Sequence, residues 1–600
     1  MNKFTNKKDE RRAIYRWRFY GVAFLLCVVL SLLLWHLVQL QVLPDSERGF
    51  KFLQGQGLAR TLRTETIPAY RGVISDRYGE PLAMSTPVVS LWANPKQLKK
   101  QESEWNALAD ALDLDRKKLA NKVQRFRHKE FMYLKRQLAP EAAERVLSLS
   151  IPGVYGQQEY QRFYPAGEVT AHLVGFTNID DKGQEGVELA YDDWLTGSVG
   201  RKQVLKDLSG RIIKDVAQLD TATPGKDIRL SIDLRLQYLA YRELKASVKA
   251  HNAESGSMVM LDAETGEVLA MVNQPSFNPN DRRRLTPKAL RNRVMTDQFE
   301  PGSTVKPLTI MAALETGRYN PSSTIDTHPG YYRVGKKTLL DPVNYGVMDL
   351  TKIITKSSQV GLTKVSLDLE ATDIRDLYFR LGLGQTTGTG FPGESVGILP
   401  NHSKWQPIVQ ANFSFGYGLT LNALQLAQAY SVIADNGNKK PVSLLKIDQA
   451  PSIESVVDKK IANQMVDMLK TVVLPGGTAK RANLDSYVVA GKTGTIHKVG
   501  KSGYSDNRYT SLFAGFAPAD DPKIVAVVVV NEPSRGQYYG GEVAAPVFAT
   551  VVERGLQLLQ VPPDDIKMQQ AQKKYPTTAV SNRKKLTKSQ SKIKHKEPLS

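Results

Sequence analysis

The chain has 600 residues, 41% of them hydrophobic, and a formal net charge of +21, which implies more than one domain and ample core. The charge sits at the ends: residues 1–18 carry +5 and residues 567–600 carry +9, leaving +7 between them, so the basic balance does not describe a nucleic-acid-binding face. The eight histidines form no His-Glu-x-x-His or Cys/His cluster, which argues against a zinc enzyme, and the lone Cys27 excludes an intramolecular disulfide.

From Phe19 to Pro44 there is no charged residue. The twelve Leu, Val and Phe residues between Val22 and Val38 favour bilayer insertion by roughly 4–7 kcal/mol. No small-x-small site follows before Pro44, so the segment reads as an uncleaved anchor over residues 19–43. Seven Lys/Arg in front of it predict a cytoplasmic N-terminus, with everything after residue 43 outside. Residues 44–225 then mix short strands and helices. Pro140–Leu149 reads helical with proline in its first turn, and Ile67–Gly72 reads as a turn into a strand.

The character changes near Thr223-Pro224-Gly225. Ser257–Leu261 and Glu267–Val272 flank a Glu264-Thr265-Gly266 turn and predict a hairpin. Glu300-Pro301-Gly302-Ser303 reads as a turn entering a helix, with the apolar run Pro307–Leu314 behind it. Ser303 and Lys306 then share a helix face, and a desolvated lysine amine can take the proton of a serine hydroxyl. Ser-x-x-Lys also begins at Ser443, Ser581, Ser589 and Ser591, but those copies lie in a short strand-like run or a lysine-rich tail. Ser357-Ser358-Gln359 follows, and taken alone reads as a surface turn. Lys492-Thr493-Gly494-Thr495 follows Tyr487–Gly491, a short strand, and places Lys492 at the strand end. Lys501-Ser502-Gly503 is a second copy of the Lys-Ser/Thr-Gly pattern in a predicted polar loop, and His497 reads as a loop residue. Tyr509–Phe516 and Lys523–Asn531 read as further strands of an antiparallel sheet, giving α+β organisation. After Pro562-Pro563 the composition predicts a solvated, disordered tail.

The three segments at Ser303, Ser357 and Lys492, in that order, resemble those of the penicillin-recognising acyl-serine enzymes. Arg71-Gly72-Val73-Ile74-Ser75-Asp76-Arg77-Tyr78-Gly79, Gly186-Val187-Glu188, Ser414-Phe415-Gly416-Tyr417-Gly418 and Tyr538-Tyr539-Gly540-Gly541 extend the likeness to class B penicillin-binding proteins, nearest to their division-specific FtsI type. The resemblance implies an α+β architecture: a cytoplasmic stretch 1–18, one transmembrane helix over 19–43, a non-catalytic pedestal over 44–225, a transpeptidase domain over 226–566 and the tail 567–600.

The resemblance also implies roles. Ser303 is the nucleophile, Lys306 its base, and Ser357 a proton relay between Lys306, Lys492 and the leaving amine. Backbone N–H groups of Ser303 and Thr495 form the oxyanion hole. Lys492 with Thr493 and Thr495 holds a substrate carboxylate, Gln359 orients the substrate amide, and Gly494 and Tyr417 line the binding cleft. Gln359 stands where the family usually has Asn, the same amide one methylene further out. No cofactor is implied. The implied partners are D-Ala-D-Ala stem peptides, β-lactams, the membrane and divisome proteins, including a lipid II-polymerising glycosyltransferase of the FtsW type, with no nucleic acid. Two other readings compete: a hydrolase (D,D-carboxypeptidase or β-lactamase) and a non-catalytic membrane β-lactam sensor.

Overall fold

The structure, a computed structural model, describes residues 8–42, 51–52, 55–57, 62–206, 212–283, 285–500 and 503–564. The predicted tail at 567–600, with its Ser-x-x-Lys copies, and Lys501 lie outside the described residues. Helix α1 (Lys8–Gln41) contains a 24-residue stretch, Arg16–Gln39, whose most apolar 18-residue window has a mean hydropathy of 2.5 and is not buried. Its apolar side chains are left unburied by the described residues, and it is long and apolar enough to cross a membrane.

The chain divides into two compact units, each made of several pieces. One comprises residues 1–70, 87–160 and 197–225; the other comprises 71–86, 161–196 and 226–600. The first holds an antiparallel sheet in which Gly200–Lys206 pairs with both Leu62–Ile67 and Ile212–Asp220. It also has a small core around Leu91, Trp105, Leu108, Leu119 and Val146. Val146 is supplied by the helix Pro140–Leu147, which starts, as the sequence predicts, with proline in its first turn.

The second unit is built on a five-stranded antiparallel sheet. Its strands in chain order are β1 (Ser255–Asp262), β2 (Val268–Gln274), β3 (Ala490–Gly500), β4 (Gly503–Ala517) and β5 (Ile524–Asn531). Their spatial order is β2-β1-β5-β4-β3, so β3 is an edge. The predicted Glu264-Thr265-Gly266 hairpin joins β1 to β2. In β5 every residue from Ile524 to Val530 is buried, so both sheet faces are covered. The helices α2 (Leu234–Ala250) and α3 (Gly540–Leu558) pack on each other and on the sheet. The fully buried α4 (Ala423–Ala434) starts with a reciprocal capping box between Asn422 and Gln425 and lies against β1, β4 and β5.

Two sequence expectations shift here. Tyr487–Val489 is not part of β3, because Val488 N–H donates to Asp564 Oδ2 (2.5 Å) and its carbonyl accepts from Ala519 N–H instead of joining the ladder. Lys492 is therefore inside the edge strand, paired with Ala514, and not at a strand end. The β3–β4 hairpin also runs on to Gly500 and Gly503, which makes His497 a strand residue opposite Tyr509 and not a loop residue.

Candidate active site

Ser303 lies on a 3₁₀ turn, Gly302–Val305, that feeds the helix α5 (Lys306–Glu315), in place of the plain α-helical start the sequence suggests. In 3₁₀ geometry residues i and i+3 eclipse, which aligns Ser303 with Lys306 more closely than an α-helix does. Gly302 makes the turn possible. Its φ is +53°, and a Cβ there would stand 2.6 Å from Cγ1 of Ile496 on β3. Gly302 N–H donates to Gly416 O and Thr304 N–H to Pro301 O. The Ser303 N–H between them has no hydrogen-bond partner among the described residues. Behind the turn, Tyr430 Oη donates to Thr304 O at 2.7 Å, and Thr309 Oγ1 donates to Ser414 O at 2.6 Å.

The second segment forms the joint between two helices, α6 (Leu350–Lys356) and α7 (Gln359–Leu367), and is not a surface turn. Ser357 caps α6 in the left-handed region at φ +58°, an uncommon place for a serine. Ser358 is fully buried and N-caps α7 through Gly361 N–H. The reversal turns two carbonyls toward Lys306, whose Nζ donates to Ser357 O at 2.6 Å and Ser358 O at 3.4 Å. Lys306 Nζ is also 3.2 Å from Ser357 Oγ, a contact through which a proton can pass either way once the amine is neutral.

A residue the sequence did not point to holds this joint. Asp341 accepts from Gln359 N–H at 2.6 Å and Val360 N–H at 3.2 Å through Oδ1, and from Ser358 Oγ at 2.5 Å through Oδ2. Asp341-Pro342 reads in sequence only as a turn signal, and nothing in its spacing announces a helix start eighteen residues later. Gln359 opens α7 with its side chain half-buried. Tyr417 is half-buried beside the turn: Gly418 N–H donates to Glu300 Oε1, and burial together with Glu300 pushes the Tyr417 phenol pKa up.

On β3, Lys492 and Gly494 alternate with Thr493 and Thr495. Lys492 is fully buried, with Nζ donating to Thr493 O at 3.2 Å. A Cβ on Gly494 would sit 3.0 Å from Thr304, next to Ser303, so the strand approaches the turn closely. Thr493 Oγ1 is 2.9 Å from Thr478 Oγ1, and Thr495 Oγ1 accepts from Gly540 N–H at 2.9 Å, which leaves the Thr495 hydroxyl proton available to a ligand.

The electrostatics separate this cleft from the rest of the unit. Lys306 is 1% exposed, and burial pushes its pKa down to about 7, with Asp341 working partly against that shift. Lys492 is held well below its ordinary value, first by burial and then by the like charge of Lys306. The structure thus brings Ser303, Lys306, Ser357 and Lys492 to one place, with an amine able to act as a base near neutral pH.

Comparison with known proteins agrees with this geometry. Residues 256–553 match the penicillin binding protein transpeptidase domain and residues 66–230 the penicillin-binding protein dimerisation domain. The peptidoglycan D,D-transpeptidase FtsI of Escherichia coli K12 is 41% identical, over 93% of this chain and 94% of its own length. The probable peptidoglycan D,D-transpeptidase PbpC of Pseudomonas aeruginosa is 42% identical, over 88% and 93%. Among solved structures, penicillin-binding protein 3 of Mycobacterium tuberculosis in complex with aztreonam superposes with a TM-score of 0.65 at 27% identity, covering 83% of this chain and 98% of that one. With two domains matched in order and relatives aligned almost end to end, the chain belongs to the class B penicillin-binding proteins, the peptidoglycan D,D-transpeptidases of the FtsI type.

Proposed function

We propose that this protein cross-links peptidoglycan stem peptides by serine acyl transfer at the division septum. The observation that carries the reading is the buried Lys306 amine, one 3₁₀ turn from Ser303 and in contact with Ser357. Lys306 takes the Ser303 hydroxyl proton as Oγ bonds the carbonyl carbon of a D-Ala-D-Ala donor. The N–H groups of Ser303 and Thr495 hold the oxyanion. The terminal D-Ala leaves as an amine, protonated through Ser357. An amine of a second stem peptide then attacks the Ser303 ester, forms the cross-link and releases the serine. Lys492, with the Thr493 and Thr495 hydroxyls, receives the donor carboxylate, while Gln359, Gly494 and Tyr417 line the cleft. A β-lactam enters the first half of this cycle and stops at the ester.

In this reading residues 1–18 are cytoplasmic, 19–43 cross the inner membrane, 44–225 form the non-catalytic pedestal, and 226–566 carry the chemistry in the periplasm. An FtsW-type glycosyltransferase that supplies nascent glycan is the expected divisome partner. The test uses the full chain. Ser303→Ala should abolish covalent labelling by a fluorescent penicillin, at a stability cost of about 1 kcal/mol or less. Paired stem peptides should yield cross-linked product, which neither a hydrolase nor a sensor makes. Labelling of the Ser303→Ala protein, or hydrolysis without cross-linking, would overturn the proposal. A reporter fused after residue 60 should be active only outside the cytoplasm.

A further inference from the structure

We propose that Asp341 is a positioning residue of the acylation step: its carboxylate builds the joint that carries Ser357 and the two carbonyls holding the Lys306 amine, and it sets a negative charge on the other side of that joint from the amine. The inference rests on Lys306 being the base that activates Ser303.

Asp341 follows the two-stranded hairpin Tyr331–Val334 and Lys337–Leu340, and its own N–H donates to Gly330 O at 2.9 Å. That bond ties it to the base of the hairpin. Its side chain is nearly buried and spends both oxygens on one target, the start of α7. An anion receiving two N–H groups at a helix N-terminus is favourably placed. Here it also fixes where the preceding backbone must turn. Ser357 occupies the left-handed region without being glycine, a conformation that persists only when its surroundings enforce it. The enforcing contacts are the Asp341 bonds on the far side of the joint and the Lys306 bonds on the near side.

The charge argument follows from which groups face Lys306. From β3 comes Lys492, a like charge. From the α6–α7 joint come two carbonyls and the Ser357 hydroxyl, none of them charged. The phenols packed behind the turn, Tyr378 on Thr309 and Tyr430 on Thr304 O, are held protonated by burial and add no charge. Tyr345, near Asp341, is likewise kept neutral by burial and by Asp341 itself. Among the described residues Asp341 is the anion that acts on the Lys306 ammonium. Removing its charge therefore makes Lys306 a weaker base that is neutral at lower pH.

The test is the second-order acylation constant of the full-length protein with one penicillin, measured across pH and normalised to the labelled fraction. Asp341→Asn keeps an acceptor for the two N–H groups and removes the charge. It should move the acid limb of the profile to lower pH by about one unit and lower the plateau several-fold. Ser358→Ala breaks the Oδ2 contact but leaves the charge, so it should lower the plateau without moving the limb. If Asp341→Asn does not fold, Asp341→Glu decides the matter: keeping the charge but shifting the bonds to the joint, it should lower the plateau with the limb at the parent pH, and a displaced limb or an unchanged plateau overturns the proposal. An Asp341→Asn profile that superposes on the parent also overturns it. A parent that fails to label, like the Ser303→Ala control, would instead refute the acyl-serine reading.

Discussion

Arg71 and Arg162 are buried as deeply as Lys306 and Lys492, in the same compact unit, yet the two pairs are treated in opposite ways. The arginines grip one carboxylate between them. Arg71 Nε and Arg162 Nε each lie 2.6 Å from a different oxygen of Glu188, and Arg71 also meets Asp192 at 2.7 Å. Burial works against the Arg71 charge, but Glu188 and Asp192 more than offset it and its proton is held more tightly than usual. Neither lysine forms an ion pair among the described residues: Lys306 meets carbonyls, a hydroxyl and the longer-range field of Asp341, and Lys492 meets a carbonyl and the like charge of Lys306. A buried charge with a matched partner is architecture. A buried cation without one is easily discharged, which is the property a general base needs.

The comparison can be broken most sharply at Lys306. Lys306→Met should reduce the acylation constant by roughly 10²–10⁴-fold while leaving thermal stability equal or higher, since no ion pair is lost. A variant that unfolds would place Lys306 with the arginines. Glu188→Gln should do the reverse, lowering unfolding free energy by about 3–5 kcal/mol, with the folded fraction acylated at the parent rate. Denaturant titration beside labelling kinetics reads both effects.

Proton binding gives the next test. Lys306 has a folded pKa of about 7 against an ordinary 10.5, so its neutral form grows as pH rises through 7. At saturating penicillin the acylation rate should climb about tenfold per pH unit below that point and level off above it. The sign for stability is the same. Between about 7 and 10.5 the unfolded chain binds the proton and the folded chain does not, so stability attributable to Lys306 rises with pH over that window. Lys306→Met should remove that part of the slope.

The smallest expected effect is at Gln359. Gln359→Asn should keep or improve acylation, whereas Gln359→Ala should lower it roughly two- to tenfold through a lost hydrogen bond of about 0.5–1.5 kcal/mol. Equal constants for the parent and Gln359→Ala would mean that this side chain does not meet the ligand.

What the sequence made legible follows from what is local. The Glu264-Thr265-Gly266 turn, the proline-led helix at Pro140 and the apolar run of β5 carry their structure in adjacent residues, and each is found where the sequence places it. The chemistry-bearing segments were readable because their residue types and order carry the pattern. What stayed hidden depends on distant partners. Asp564 stops β3 from starting at Tyr487, and Asp341 decides the conformation of Ser357. The 3₁₀ turn at Ser303 rests on the approach of Gly302 to Ile496. None of these three contacts leaves a periodic trace in the chain.

The close placement of Lys306 and Lys492 also bears on ligand capture. Burial and the like charge of Lys306 hold Lys492 well below its ordinary proton affinity. A carboxylate docking beside Lys492 supplies the missing anion and raises that affinity again. In the proposed mechanism, capture of an anionic stem-peptide end would then be linked to uptake of a proton from solvent. The heat of binding, measured with the Ser303→Ala protein so that no ester forms, should accordingly change with the ionisation enthalpy of the buffer. Affinity should weaken as pH rises above neutrality, even while Lys306 becomes a better base. The working pH of the enzyme would then be a compromise between a cation that must be gained and a proton that must be lost.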